Sequence, residues 1–434
     1  MKNVLERLIA DYHERTLPDL IDRTYPRDEF AGKAIALLGM RRVGKTYLCY
    51  QWLKELIATG VPIENTVYLN FEDDRLFGFE ISDCQTILDV YYSQYPEKKT
   101  EKCYFFFDEI QNVAGWERFV RRLIDTENVS IYITGSSAKL LSQEMATSLR
   151  GRSLNREIFP YDFNEYIKAK NIVIKNTQRV GEKTRMLLLN AAKQYLHEGG
   201  LPEVVGIDAH KRQEILQGYV DAVILRDVIE RHNVSNSVAL RNLVYHVLSS
   251  PTARLSINKF YNSLKSQGVK VGKNDLYAFI QYLADAYLIF PVPIWSRSEK
   301  SKQVNPQKIY LIDNGILSAY STRMTQDFGA LLENLVYLKL RREGIQPHYY
   351  VSKTGHEVDF VFNHQDSVYL IQVCWDLSAT QTREREIRAM KNALTEQKNA
   401  KGIVVTWDDE TRIDSISAIP LWQFLLQKVT STCS

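Results

Sequence analysis

An α/β protein built from more than one core is predicted, on three observations. An apolar run enters a glycine-bearing turn that opens a helical pattern; three further apolar runs alternate with helical stretches; and strand-like runs return in the last quarter of a chain of 434 residues. Single cores stop growing at roughly 250 to 300 residues, so a chain of this length divides.

The elements follow in order. Ala34 to Leu38 reads AIALL and Tyr47 to Ile57 has apolar residues at helical spacing, so strand, glycine loop and helix succeed one another. TVYLNF (66–71), CYFFFDE (103–109) and VSIYITG (129–135) are the next strands. Strand, glycine-rich loop, helix is the P-loop order, and strands alternating with helices imply a parallel sheet covered on both faces. After Pro160 the pattern turns helical, and KTRMLLLNAAKQYLHEGG runs into a Gly-Gly stop with Pro202 beyond it. Short helical stretches over 211–300, then YLIFPVPIW, a charged SRSEKSKQ tip and KIYLID, have the layout of a winged helix-turn-helix. From about residue 325 a helix GALLENLVYLKLRREG, strands at PHYYVS, EVDFVF and VYLIQVCW, a charged helix TQTREREIRAMKNAL and a strand at GIVVTW form a further small α/β unit. The expected domains are therefore 1–165, 166–210 as a helical lid or linker, 211–320 and 321–434.

Composition narrows the class. A 45% hydrophobic and 25% charged chain is ordinary for a globular protein, and Pro and Gly are too scarce for low complexity. The N-terminus is charged throughout and lacks the apolar core of a signal peptide, and no apolar run has membrane length. Five scattered cysteines, never in a CxxC pair, argue for a reducing, cytoplasmic setting and against a zinc site. A formal charge of +3 neither demands nor excludes nucleic acid, so only a local basic face can decide.

The loop GMRRVGKT carries the chemistry. Gly39, Gly44, Lys45 and Thr46 fit GxxxxGK[ST], in which successive backbone N–H groups wrap a phosphate and the helix N-terminus adds its positive dipole end. ATP is the expected ligand, with Lys45 on the β and γ phosphates and Thr46 offering its hydroxyl to Mg2+. Arg41, Arg42 and Val43 in the loop and Tyr47 at the head of the helix complete the nucleotide-binding set, the plain alternative for the arginines being that they face solvent. An acidic strand end should supply the second half: Asp108 as the magnesium partner and Glu109 as the group that orients or deprotonates the attacking water. Thr134, Gly135, Ser136 and Ser137 end a third strand, and Ser136 is placed beside the γ-phosphate; a cap for a helix starting at Ala138 explains these residues equally well. Arg150 and Arg152 in SLRGRS are candidate catalytic arginines, acting in cis or on a neighbouring copy in a homo-oligomer, against the alternative of a surface pair bound to acids.

GMRRVGKT, YLNFEDDRL, FFFDEIQNVAGWE, YITGSSAKLL, LRGRS and IFPYDFNEY, in that order and spacing, resemble the prokaryotic AAA-type ATPases that carry a C-terminal domain of unknown function. YLHEGGLPEVV, ILRDVIERH, YLIDNGI and ALLENLVYLKL extend the resemblance over nearly the whole chain. It implies a winged helix followed by a restriction-endonuclease-like fold, with Gly39 to Thr46 binding nucleotide and Asp108 and Glu109 serving hydrolysis.

Such a nuclease-like core would gather Glu333, Asp359 and a Glu-x-Lys pair around magnesium, yet Gln372 and Cys374 stand where that pair is expected. A neutral amide is a weak ligand for a hard cation and a thiol cannot replace an ammonium, so this site is expected to be inactive unless Glu357 or Asp376 rescues it. Lys259, Lys265, Lys270 and Lys273, with Asn274 opening a helix, and Arg297, Lys300 and Lys302 at the expected wing tip suit phosphate contacts. The expected function is an ATPase whose nucleotide state controls a C-terminal module that binds double-stranded DNA. The alternatives are a switch that binds a protein partner, and an active magnesium-dependent endonuclease.

Overall fold

The computed structural model describes residues 1–136, 149, 151–174, 180–320, 327–414 and 416–432. It divides into two compact units, Met1–Ile158 and Phe159–Ser434.

In the first unit β1 (Ala34–Leu38), β2 (Thr66–Asn70), β3 (Cys103–Asp108), β4 (Val129–Gly135) and β5 (Ser153–Glu157) form a sheet in the order β2-β3-β4-β1-β5, parallel throughout. Helices α1 (Lys2–Glu14), α2 (Lys45–Ala58), α3 (Cys84–Gln94) and α4 (Trp116–Thr126) accompany it. Continuous apolar strands such as AIALL and CYFFFD are what a sheet covered on both faces requires. Phe105, Phe106 and Phe107 are fully buried, and Phe106 stacks on Tyr132 with ring centroids 4.6 Å apart. The edge strand β5, SLNRE, gives no such apolar signal; its partly exposed residues are held by register with β1 from Ala34↔Ser153 to Leu38↔Glu157.

The second unit opens with α5 (Phe163–Ala169), α6 (Glu182–Glu198) and α7 (Ala209–Ala222), the last continuing as a π-helix over Val223–Glu230. Then come α8 (Ser237–Ser249), β6 (Arg254–Leu255), α9 (Ile257–Ser266), α10 (Lys273–Asp285), β7 (Ile289–Val292), α11 (Glu299–Val304) and β8 (Gln307–Leu311), with a three-stranded antiparallel sheet in the order β6-β8-β7. The SRSEKSKQ stretch read as a bare loop tip instead contains α11, because the Ser298 side chain accepts the Ser301 N–H and caps it. After α12 (Asn314–Tyr320) and α13 (Phe328–Arg342), strands β9 (His348–Val351), β10 (Glu357–His364), β11 (Ser367–Cys374), β12 (Ala400–Thr406), β13 (Thr411–Ile413) and β14 (Ile416–Pro420) build a mixed sheet ordered β13-β14-β12-β11-β10-β9. Helix α14 (Thr380–Glu396) lays Ile387, Met390 and Ala393 on the core formed by Val358, Val361, Leu370 and Val404.

The HEGG and LIDNG segments meet. Gly199 ends α6 at φ 74°, and a Cβ there would come within 2.0 Å of Asp313 Oδ1. The buried Asp313 carboxylate accepts the N–H groups of Gly200 at 2.6 Å and Gly315 at 2.8 Å. Cys49, Cys84, Cys103 and Cys374 are buried and unpaired. Among the described residues, no helix is long and apolar enough to cross a membrane.

Candidate functional site

The loop after β1 is shaped by its glycines. A Cβ on Gly39 would lie 2.3 Å from the carbonyl oxygen of Ile158, so only glycine lets the chain leave the sheet here. Gly44 caps α2 at φ 96° and ψ 26°, and Arg42 is also left-handed at φ 70°. The backbone therefore curls across the N-terminus of a 14-residue helix, where N–H groups without intrahelical partners and the dipole favour an anion. Val43 is fully buried, and its carbonyl accepts a hydrogen bond from the Arg23 guanidinium at 3.0 Å. Arg23 is itself fixed to α2, its N–H donating to Gln51 Oε1 at 2.7 Å.

Lys45, 5% exposed, donates to the carbonyls of Gly39 at 3.0 Å and Met40 at 3.2 Å, and its ammonium stands 3.6 Å from Glu109 Oε1. Thr46 donates to Asp108 Oδ2 at 2.7 Å, and Tyr68 donates to the same oxygen at 2.7 Å. The Thr134 hydroxyl donates to Asp108 Oδ1 and in turn accepts the Glu109 N–H at 2.9 Å. Glu109, at the left-handed φ of 51°, takes a hydrogen bond from the Gln111 amide on Oε2. Burial drives the Asp108 carboxyl above the ordinary range, against hydrogen bonds from Thr134, Thr46 and Tyr68, with the Glu109 charge adding to the rise. Burial also pushes Glu109 up, but Lys45, Gln111 and Arg41 outweigh it and hold that carboxyl below its usual value. Two adjacent carboxyls are thus displaced in opposite directions, the mark of a site that separates roles.

The donor set fits a magnesium ion. Thr46 and Asp108 offer hard oxygen ligands side by side, as magnesium prefers. Register places Gly135 beside Leu38, and the next residue, Ser136, has a fully buried Oγ without a hydrogen-bond partner among the described residues. A buried hydroxyl left unpaired at the head of a phosphate-type loop is suited to a ligand oxygen.

The remaining expected residues divide. Arg41 forms an ion pair with Glu72 at 2.8 Å, and Tyr47 is 55% exposed with its ring edge-on to Tyr50. Arg152 is not brought to the loop: its carbonyl accepts the Ala34 N–H at the opposite end of β1, and its side chain pairs with Asp125. Arg150, Ser137 and Ala138 lie outside the described residues. Sequence reading passed over Arg23, Tyr68 and Gln111. Only Gln111 had a local signal, a side chain able to donate two positions after the acid; the other two reach the site through the fold.

A second group of charges occupies the second unit. Glu333 on α13 and Glu357 and Asp359 on β10 converge, as the sequence suggested, but around Lys308 of β8, which sequence reading passed over. The Lys308 ammonium is 2.7 Å from Glu333 Oε1, 2.8 Å from Glu357 Oε1 and 2.9 Å from Asp359 Oδ1. Burial lowers its affinity for the proton, yet the charges of Asp359, Glu333 and Glu357 outweigh burial and raise it well above the ordinary lysine value. Gln372 accepts the Asp359 N–H at 3.3 Å and donates to Glu386 at 2.7 Å, while Cys374 packs in the core. Asp376 does not join them; it folds back onto Ser378.

The chain matches an AAA domain over residues 31–167, a domain of unknown function (DUF8612) over 189–327 and a second (DUF4143) over 328–424. It is 36% identical to the uncharacterized protein MJ1544 of Methanocaldococcus jannaschii, over 98% of this chain and 96% of that one. It is 30% identical to an uncharacterized protein of Haemophilus influenzae, over 90% and 93%. Among solved structures, the Aeropyrum pernix ORC1 protein in complex with DNA overlaps 74% of this chain and 90% of its own at 12% identity and a TM-score of 0.30, too loose a match to assign anything here.

Proposed function

The chain belongs to the protein family that includes MJ1544 of Methanocaldococcus jannaschii, and on that premise, with its AAA domain, we propose that it binds and hydrolyses ATP. The observation that carries this reading is the convergence of Lys45, Thr46, Asp108 and Glu109 on one glycine-shaped loop at the head of α2. Lys45 exchanges its two loop carbonyls for the phosphates, where its ammonium answers the charge that develops between β and γ groups. Thr46 and Asp108 would hold magnesium, which supplies charge neutralisation at the phosphate oxygens when bound. Glu109, its carboxyl ionised at neutral pH, accepts the proton of the attacking water, and Gln111 fixes its orientation. Ser136 gives its unpaired hydroxyl to the γ-phosphate.

The test separates binding from turnover. Lys45→Ala should abolish nucleotide binding, whereas Glu109→Gln should keep ATP bound and lose roughly 10² to 10⁴ in rate, as loss of a positioned base does. Normal hydrolysis by Glu109→Gln would remove Glu109 from its role.

The module controlled by this site is read as a winged helix carrying a DNA-contacting face. Helix α8, strand β6, helices α9 and α10 and strands β7 and β8 follow in the order such a unit needs. Lys259, Lys265, Lys270 and Lys273 are exposed on or beside α9 and α10. Phosphate contacts from such residues weaken steeply with salt. ATPase rates measured with and without double-stranded DNA at two salt concentrations should show stimulation that fades at the higher one. Rates indifferent to DNA at both would favour a protein partner for the same module.

A further inference from the structure

Three carboxylates and one ammonium meet in the second unit, and nothing in the proposed hydrolysis uses them. The Lys308 ammonium stands within 2.7 to 2.9 Å of one oxygen each of Glu333, Glu357 and Asp359, and donates a hydrogen bond to Asp359. Each acid is held independently. Asp359 sits where the β9–β10 register shifts between Val358 and Val361, and its Oδ2 accepts the Val373 N–H at 2.9 Å. Glu333 Oε1 also accepts the Tyr310 hydroxyl at 2.7 Å, and Glu357 Oε2 pairs with Arg254. A bulge aims a side chain off the regular pleat, and a helix and a strand presenting fixed carboxylates form an all-oxygen donor set suited to hard divalent cations.

The charge balance is unusual for an ion pair. Three carboxylates face Lys308 and Arg254, which leaves the group one negative charge in excess. Among the described residues no group of three His, Cys, Asp or Glu side chains is arranged to hold a metal ion. These three approach one another only around an ammonium, at 2.7 to 2.9 Å. Calcium–oxygen distances of about 2.3 to 2.6 Å would need a contraction of a few tenths of an ångström, whereas magnesium at about 2.0 to 2.1 Å would need clearly more.

We propose that Lys308 is the resident cation of a divalent-cation site: its tethered ammonium closes the Glu333–Glu357–Asp359 cluster to metal in the resting fold, and its removal opens the cluster to a calcium-sized ion. The intact chain then holds no metal at this position.

The test is Lys308→Met in the full chain, with terbium as the probe and calcium as its competitor, because Tyr310 touches Glu333 and sensitises terbium emission. Lys308→Met should bind terbium at least about tenfold more tightly than wild type, a measurable single step in affinity. Calcium should displace it, and Lys308→Met/Asp359→Asn should lose the gain. Equal binding by wild type and Lys308→Met, or a gain that survives Asp359→Asn, overturns the proposal. Should Lys308→Met fold poorly, its melting temperature decides the matter: millimolar calcium should raise it by several degrees more than in wild type. A Lys308→Met chain that stays unfolded in calcium counts against the proposal, as does wild type whose terbium signal falls on Asp359→Asn.

Discussion

Thr134 shows how much of the nucleotide site depends on one hydroxyl. It is buried, donates to Asp108 and accepts from the backbone of Glu109, so it binds the metal-side acid to the base-side acid. Thr134→Val keeps the shape and removes both links. Glu109, at a left-handed φ that costs energy for a side chain of its size, loses the contact that holds it there. Turnover should fall about ten- to a hundredfold, as misplacement of a reacting group by about an ångström does, while ATP affinity stays within a few-fold. Equal losses in binding and rate would mean that Thr134 supports the whole loop instead. The sequence made Gly39, Lys45, Thr46 and the Asp108–Glu109 pair legible because spacing along the chain fixes them. Tyr68 and Arg23 were not legible, since their distance from the loop closes only when β2 pairs with β3 and the N-terminal segment lies along α2. Lys308 was hidden for the same reason: a lysine in an apolar strand looks like an edge charge until its three acids arrive from elsewhere in the chain.

At the scale of elements, close approach sets the requirements. Gly39→Ala would drive a methyl group against the Ile158 carbonyl, a backbone atom that cannot turn aside, at the point where β5 continues past β1. The first unit should lose about 1 to 3 kcal/mol in chemical denaturation, the range for forcing extra volume into a filled site; a change within error would show that the loop gives way. The junction of α6 with α12 carries a different signature. The Asp313 carboxyl, fully buried, is raised to about 6 chiefly by burial, against the N–H groups of Gly200, Gly315 and Ile316. A carboxyl whose folded value lies above its unfolded one holds a proton in the native state that the unfolded chain has already released. Its contribution is complete below about pH 4 and is lost as pH rises through about 6, a change of roughly 3 kcal/mol. Stability of wild type should therefore fall more steeply between pH 4.5 and 7.5 than that of Asp313→Asn; parallel slopes would refute this. The apolar parallel strands were legible from composition alone, whereas β5 was not, because an edge strand with polar residues is fixed by its partner's register rather than by its own pattern. Helix α11 was missed because a serine cap outweighed a run of charges that looked like a loop.

For the whole molecule, the division into Met1–Ile158 and Phe159–Ser434 predicts two units that open separately. Within the second unit, Lys308 and its acids join the small antiparallel sheet to the mixed sheet. The buried cysteines turn this division into a clock. Burial pushes the Cys84 thiol up to about 12 and the Cys374 thiol up to about 11, and raises Cys49 and Cys103 as well, so a folded chain offers an alkylating reagent almost no thiolate at these positions. Labelling then proceeds only through opening, and its rate at each cysteine times the unit that holds it. A non-hydrolysable ATP analogue should slow modification of Cys49, Cys84 and Cys103 together and leave Cys374 at its former pace, since a ligand protects only what it holds closed. The same trace at Cys374 would instead mean that both halves of the chain keep a single time.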